Sequence, residues 1–359
     1  MILTIKLLRI VGSPFVRDHE LELPGNELEA LELYNYAIKN KIGLLYLEAL
    51  NDRGKLEEFR LKSNYEEEQE KYDKQLITVA RVSELFNSSN VNYAVFKSIM
   101  PFPATPNDVD IIHFGSDVEF ENAAELMLLS GYLEVKGQAD AEQRMFHDAR
   151  DGKLWPHPHQ KDVYDVDLYQ KISASHILYL DKRKLEGHVI EINRFGTILK
   201  VLKPEAELVA IVIHSIIPEM LCTLFVYYST LYYLAKMNSR EINEFIDIAK
   251  ENNAVYPIKV HFSVLAELHQ AAHGFIPAQI EEILTKLGTD ELEKRNLFKN
   301  EFKTPHKYGL STVVKTLLEK ANEAECRRSV IKQLVYMLNP RHTKWVIHNI
   351  IWRRQRETY

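Results

Sequence analysis

The fold is decided by residues 91–114, which read VNYAVFKSIMPFPATPNDVDIIHF. The apolar runs at 93–96 and 108–114 predict two short, buried β-strands. Side chains two residues apart in a strand point to the same face, so Asp108 and Asp110 are expected to project side by side. The first prediction is therefore a buried sheet that carries a pair of carboxylates at the start of one strand.

The chain downstream continues to alternate between helices and strands. Apolar residues at helical spacing predict a helix over 117–130, with Gly131 as its terminator. Further strands are predicted at 132–135 and 144–147, and the alternating run 161–169 predicts another. Together these elements predict a small mixed β-sheet with one or two helices.

Helical patterns flank this predicted sheet on both sides. Apolar spacing predicts helical segments over 27–50, 55–87 and 205–237, and further helices up to the C-terminus. The resulting fold class is α+β. The predicted organisation is a mainly helical N-terminal segment (1–90), an α/β core (91–200) and a C-terminal helical domain with a basic tail (201–359).

Composition excludes several common kinds of site. The chain has only 13 glycines and contains neither a G-x-x-x-x-G-K-[ST] phosphate loop nor a G-x-G-x-x-G turn. Its two cysteines, Cys222 and Cys326, cannot form a disulfide framework and have no zinc spacing, which predicts a reduced, cytoplasmic protein. The longest uncharged stretch, 220–235, is shorter than the roughly 20 residues of a membrane span, so no membrane partner is expected.

A second pair of acids, Asp165 and Asp167, lies two residues apart on the later strand. Carboxylates this close repel one another unless a cation sits among them. Oxygen ligands suit Mg²⁺ or Mn²⁺, and two such ions about 3.5–4 Å apart can clamp the attacking and leaving oxygens of a phosphoryl displacement. Asp108 and Asp110 are expected to bridge both ions, with one member of the second pair as a further ligand.

The turn Lys97-Ser98 follows the first strand and is expected to offer a backbone N–H, a hydroxyl and an ammonium group to a triphosphate. A small residue in a turn, then D-x-D on a strand, then a third Asp on a later strand resembles the polymerase-beta-type nucleotidyltransferase superfamily. The Lys97-Ser98 turn is similar to the Lys-Gly form in a family of uncharacterised nucleotidyltransferases. The similar segments are AIKNKIGLLYLEAL (37–50), VNYAVFKS (91–98), NDVDIIH (107–113), LMLLSGYLEV (126–135), VDLY (166–169) and PEAELVAIVIHSI (204–216).

The resemblance implies a minimal nucleotidyltransferase core. It implies Mg²⁺-dependent transfer of a nucleoside monophosphate from an NTP such as ATP to a hydroxyl of RNA, protein or a small molecule, with release of pyrophosphate. The implied catalytic metal ligands are Asp108, Asp110 and Asp167. Asp167 is preferred to Asp165 because Asp167-Leu168-Tyr169 aligns with the family's third-acid element.

Two departures from the family pattern favour an alternative. Ser98 stands where the family favours glycine, and the connection to Asp108 is rich in proline and lacks the arginine expected near the D-x-D pair. The alternative is a degenerate, non-catalytic member of the same fold that binds a nucleotide or RNA.

Other side chains near the core carry weaker signals. His157 and His159, with His147 nearby, lack a further ligand at zinc spacing. His214 lies on an apolar helix and is expected to be a satisfied core histidine or, alternatively, to help hold a nucleotide between the core and the helical domain. Arg144 is expected to point from its strand toward the acids and to bind phosphate.

The C-terminal tail is strongly basic although the whole chain carries a net charge of −6. Residues 326–359 contain eight Lys or Arg against one acid, together with Trp345 and Trp352. Cations and aromatic faces of this kind predict contact with RNA. The other interpretation is an amphipathic helix with an inward-packing face formed by Trp345, Ile347, Ile350 and Ile351.

Overall fold

The protein was analysed as a computed structural model. It describes residues 2–17, 21–105, 108–135, 142–148, 165–174, 176–194, 196–341, 343–344 and 347–348. These residues form an α+β fold in which a mixed β-sheet is packed between helices, as the sequence predicts.

Helices precede the sheet, and their bounds are α1 (Leu3–Val11), α2 (Glu27–Lys39), α3 (Gly43–Asn51) and α4 (Lys62–Ser88). The single helical segment expected over 27–50 is wrong in detail, because Lys41 adopts a left-handed backbone conformation with φ 58° and separates α2 from α3. The segment expected over 55–87 becomes helical only at Lys62.

The predicted strands and helix of the core are confirmed, with bounds β1 (Tyr93–Phe96), β2 (Asp108–His113), α5 (Asp117–Leu129), β3 (Tyr132–Glu134), β4 (Gln143–Asp148) and β5 (Asp165–Tyr169). The first part of the strand expected over 161–169 lies outside the described residues. Elements that the sequence analysis did not predict follow, with bounds β6 (Ile172–Ala174), β7 (Ile177–Leu180), α6 (Lys182–Glu186), β8 (Val189–Arg194) and β9 (Thr197–Leu202).

The order of strands in the main sheet is β3-β4-β5-β2-β1-β9-β8 across the described residues. The pairs β2–β5 and β1–β9 are parallel, and the remaining neighbours are antiparallel. Strands β2 and β5 pair with each other in the interior of this sheet, so the two acid-bearing strands are direct neighbours.

The chain after the sheet is mainly helical, with bounds α7 (Pro204–Ile216), β10 (Leu221–Cys222), α8 (Leu224–Leu234), α9 (Ser239–Glu251), α10 (Val255–His273), α11 (Ala278–Leu287), α12 (Glu291–Lys299), β11 (His306–Lys307), α13 (Leu310–Lys320) and α14 (Ala324–Tyr336). The uninterrupted helical region expected over 205–237 is wrong. Pro218 has no backbone N–H to continue the helical hydrogen bonds, and α7 ends at Ile216. Met220 is left-handed with φ 56°, and β10 then pairs with β11.

The two faces of the sheet pack into different apolar clusters. Val109, Ile111 and Leu168 face a cluster formed with α4 and α5. Phe96 and Tyr169 belong to the other cluster, which joins the N-terminal helices to those that follow the sheet. The acids Asp108, Asp110 and Asp167 alternate with the first set, so they lie on the second face, against both groups of helices.

One continuous cluster therefore links parts of all three predicted segments, and the boundaries at 90/91 and 200/201 stay a prediction. Among the helices of the described ranges, none combines the length and the apolar character needed to cross a bilayer.

Burial of Leu168 is expected to be a large contribution to stability. Leu168→Ala removes a side chain that is 0% exposed and leaves a cavity, so it should lower the free energy of unfolding by about 2–5 kcal/mol. Leu129→Ala is the matched control, because Leu129 is 81% exposed and the same change there should cost within about 0.5 kcal/mol. Urea denaturation of both variants checks this, and equal losses would contradict the packing described above.

Candidate active site

Three carboxylates meet on one face of the sheet because of the register of two parallel strands. Asp110 on β2 lies directly beside Asp167 on β5, and Asp108 lies two residues before Asp110 on the same face. Oxygen atoms of the three side chains lie within 4.8 Å of one another. Asp110 and Asp167 are only 3% and 4% exposed, whereas Asp108 is partly exposed. The sequence-predicted acids are thus brought together at a partly open edge of the core.

The carboxylate oxygens of this cluster fit a hard divalent cation. Asp110 Oδ1 is buried and accepts no hydrogen bond from any described residue. Burial raises the pKa of the Asp110 carboxyl, an effect that Lys97 opposes and Asp108 reinforces. Close carboxylates with an unsatisfied buried oxygen are the donor set that Mg²⁺ or Mn²⁺ prefers.

Asp165 occupies the position of β5 that pairs with Asp108. Its side chain lies outside the described residues, whereas that of Asp167 is part of the cluster. His147 pairs with Asp165 from β4 and is buried. His157 and His159, the other histidines considered for zinc, also lie outside the described residues.

The Lys97 side chain crosses the space between the acids and the helices. Its Nζ lies 3.2 Å from Asp110 Oδ2, 3.3 Å from His214 Nδ1 and 4.8 Å from the centre of the Phe96 ring. Burial is the largest single influence and disfavours the ammonium charge, but the combined attraction of Asp110, Asp108 and their neighbours outweighs it, and the pKa of Lys97 is raised. Lys97 is therefore the buried counter-charge of the carboxylate cluster.

Glu207, in the first turn of α7, fixes the backbone of this turn. Lys97 is left-handed with φ 55°, and its backbone N–H donates to Glu207 Oε1. Burial raises the pKa of the Glu207 carboxyl to about 8, although the hydrogen bond from Lys97 opposes the shift. A strained backbone conformation persists only where its surroundings hold it, and Glu207 supplies that hold.

The Ser98 side chain holds the two acid-bearing segments together. Its Oγ accepts a hydrogen bond from the Asp110 backbone N–H at 2.8 Å and lies 3.0 Å from the Phe96 carbonyl oxygen, to which it donates. A hydroxyl has a single proton to donate. The expected donation from the Ser98 hydroxyl to a triphosphate therefore needs correction, because that proton is already used inside the sheet. The Lys97 backbone N–H donates to Glu207, and the Lys97 ammonium group lies beside Asp110.

Arg144 is also placed differently from the prediction. It pairs with Leu168 across β4 and β5, one residue out of phase with Asp167, and its side chain lies on the opposite face of the sheet. There it forms ion pairs with Glu134 at 2.7 Å and Glu121 at 2.6 Å. The expectation that Arg144 points toward the acids is wrong, because strand parity directs it away from them.

Several residues of the site were not found from the sequence. Gln143 lies across from Tyr169 on β4 and donates from Nε2 to Asp167 Oδ2 at 2.8 Å. Lys41 lies at the break between α2 and α3. Burial lowers the pKa of its ammonium group, and attraction to Asp108 opposes this shift. No local motif marks these residues, because each depends on an interaction with a distant part of the chain.

His214 lies beside Lys97 rather than in a purely apolar environment. Tyr179 Oη is 2.8 Å from its Nδ1, and Glu219 Oε1 is 3.5 Å from its Nε2. Burial, together with the Lys97 charge, lowers the pKa of His214 to about 4, so the ring is neutral at pH 7. This position agrees with the alternative of a histidine between the sheet and the helical region. Contact with a nucleotide stays a prediction.

Comparisons with known proteins give little further information. No protein-family model matches the chain, and no curated protein matches it. Among solved structures, the chain is similar to an antigenic nucleotidyltransferase-like protein from Paracoccidioides brasiliensis, with 14% sequence identity over 67% of this chain and 96% of that chain and a TM-score of 0.30. A likeness this distant carries no weight for function, which depends on the geometry of the site.

The raised pKa of Glu207 predicts a pH-dependent stability. The folded protein keeps a proton that the unfolded chain loses above about pH 4.5, so the contribution of this group is complete below that pH and is lost as the pH rises to about 8. Glu207→Gln keeps an oxygen acceptor for Lys97 but cannot titrate. Its free energy of unfolding, measured with urea between pH 5 and pH 8, should fall less steeply than that of the native chain.

Glu251→Gln is the control for this experiment, because Glu251 is exposed at the end of α9. It should leave the pH dependence unchanged. Parallel curves for Glu207→Gln and the native chain would contradict the protonated, buried state of Glu207.

Proposed function

We propose that this protein is a metal-dependent nucleotidyltransferase that moves a nucleoside monophosphate from an NTP, ATP included, to a hydroxyl acceptor. The acceptor oxygen forms a bond to the α-phosphorus, the bond to the bridging oxygen breaks, and pyrophosphate leaves with the hydroxyl proton released. The observation that carries the proposal is the convergence of Asp108, Asp110 and Asp167 within 4.8 Å, on adjacent parallel strands.

Asp108, Asp110 and Asp167 would hold the metal, which we propose to be two Mg²⁺ or Mn²⁺ ions. When bound, such ions neutralise developing charge on the phosphate oxygens and favour deprotonation of the attacking hydroxyl. The protein's own part is positional: Ser98 fixes the backbone of Asp110, and Gln143 orients the carboxylate of Asp167. Preorganised ligands of this kind avoid the cost of rearranging the site during reaction.

Lys97 is the residue of the turn that we propose to contact the triphosphate. Its ammonium group lies 3.2 Å from Asp110 Oδ2 and 4.8 Å from the centre of the Phe96 ring. Two other donors of the turn are engaged inside the protein, since the Lys97 N–H bonds to Glu207 and the Ser98 hydroxyl bonds within the sheet. Charge, rather than a cradle of backbone donors, is therefore the proposed basis of phosphate recognition.

The same engaged donors favour a second candidate, a nucleotide-binding module that performs no transfer. In that case the acids and Lys97 would bind a metal–nucleotide complex without turnover. Binding of NTP and metal with no labelled product on any hydroxyl acceptor distinguishes this candidate from the transferase.

RNA is the acceptor that the basic tail suggests, and this stays a prediction. Arg327, Arg328 and Lys332 on α14 are exposed. Ile347 is 48% exposed, so it does not pack inward, and Trp345 and Ile350 lie outside the described residues.

Both cysteines are unpaired, which supports a reducing compartment such as the cytoplasm.

Asp110→Asn is the substitution that tests the proposed metal site. In the native chain, an NTP at 100 times its dissociation constant should, with Mg²⁺ or Mn²⁺, add about 2.7 kcal/mol of stability and raise the unfolding midpoint by a few degrees. Asp110→Asn should abolish that shift and the transfer of label from α-³²P-NTP, while the unliganded protein stays folded. The exposed Asp73→Asn is the matched control and should behave as the native chain.

Thermal unfolding with each of the four NTPs, with and without metal, gives the binding result, and label transfer to RNA, protein and small hydroxyl compounds gives the activity. Full transfer by Asp110→Asn would overturn the proposed function.

A further inference from the structure

The Lys97 ammonium group makes two kinds of contact within one small chamber. On one side it lies 3.2 Å from Asp110 Oδ2. On the other side it lies 3.3 Å from His214 Nδ1 and 3.4 Å from Nε2. The rings of Phe96 and Tyr169 border it at 4.8 and 5.9 Å from their centres. The chamber therefore holds a cation between the acids of the sheet and the helical region.

The helical side of the chamber is able to retain this cation when its contact with Asp110 is lost. Tyr179 and Lys97 both approach His214 Nδ1, while Nε2 faces Glu219. The neutral imidazole carries no charge to repel the ammonium group, which lies almost equally far from its two ring nitrogens. Lys97 thus has a second polar partner besides the carboxylate.

The Lys97 contact uses the same carboxyl group that a divalent cation needs. Asp110 Oδ2 faces the ammonium, and the other oxygen is buried without a hydrogen-bond donor among the described residues. A cation of charge +2 among Asp108, Asp110 and Asp167 takes over the neutralisation of Asp110 and repels an ammonium group a few ångströms away. The Asp110 carboxylate therefore attracts the Lys97 ammonium group less strongly once a divalent cation is bound to it.

We propose that Lys97 is an exchangeable counter-ion, which neutralises Asp110 until a divalent metal enters and then binds the phosphate groups of the substrate. This inference rests on the proposed function and specifies how the metal and the triphosphate depend on each other. Metal entry releases the ammonium group for the anion, so each ligand strengthens the binding of the other.

The exchange has a consequence that a merely structural lysine would not have. Lys97→Met keeps the length of the side chain and its contact with Phe96 but removes the charge. Without the competing cation, Mn²⁺ alone should bind about tenfold more tightly. Inorganic tripolyphosphate, added at saturating Mn²⁺, should bind about tenfold more weakly because its cationic partner is gone. The two affinities move in opposite directions.

Two further variants separate exchange from other effects. Lys97→Arg keeps the charge beside Asp110 and should bind Mn²⁺ no more tightly than the native chain. This variant also tests the inference if Lys97→Met fails to fold. Lys250→Met removes an exposed charge at the end of α9 that pairs with Asp247, and it should change both affinities by less than about threefold, because an exposed charge is screened by solvent. Far-ultraviolet circular dichroism checks folding of each variant.

The measurements are Mn²⁺ binding by electron paramagnetic resonance and tripolyphosphate binding by calorimetry, with all variants in the full chain. Opposite shifts in Lys97→Met support the exchange. If both affinities are unchanged or fall together, if Lys97→Arg tightens Mn²⁺ binding, or if Lys250→Met matches Lys97→Met, the inference is overturned while the transferase proposal stands. A native chain that binds no Mn²⁺ overturns both.

Discussion

The parallel pairing of β2 with β5 is the constraint on which the rest of the site depends. Its register sets Asp110 beside Asp167 and leaves Asp108 two residues away on the same face. Three carboxylates so close together destabilise a fold unless a positive charge accompanies them. Lys97 supplies that charge from the end of β1, and a divalent metal would supply more of it. The residues around the sheet must therefore supply positive charge close to the three acids.

Residues of the helices that precede and follow the sheet in the chain surround the acids and Lys97. Lys41 lies at the break between α2 and α3, and Glu207 and His214 lie on α7. Glu207 holds the left-handed turn at Lys97, and His214 contacts the ammonium group itself. Because the face that carries the acids is also the face that packs against these helices, the site is assembled only when the sheet and the helices fold together.

The elements from β1 to β5 could be predicted, because period-two alternation and the D-x-D spacing are visible within single strands. The sequence could not predict partners set by strand pairing. Gln143 became visible only through the β4–β5 register, and the direction of Arg144 was mistaken because the phase of β4 relative to Asp167 was unknown. Pro218 could have marked the end of α7, but the helical prediction over 205–237 ran through it. Alternation on both sides of Gly196, which has φ 76°, could likewise have revealed the β8–β9 hairpin.

The central claim is that Asp108, Asp110 and Asp167 form a metal-binding site. The most direct measurement is anomalous diffraction from crystals of the protein grown with Mn²⁺ and a non-hydrolysable NTP. We expect anomalous peaks within bonding distance of oxygen atoms of all three carboxylates, with Lys97 Nζ turned toward a phosphate oxygen. Ordered nucleotide or Mn²⁺ elsewhere in the protein, with no peak among these three residues, would contradict the claim.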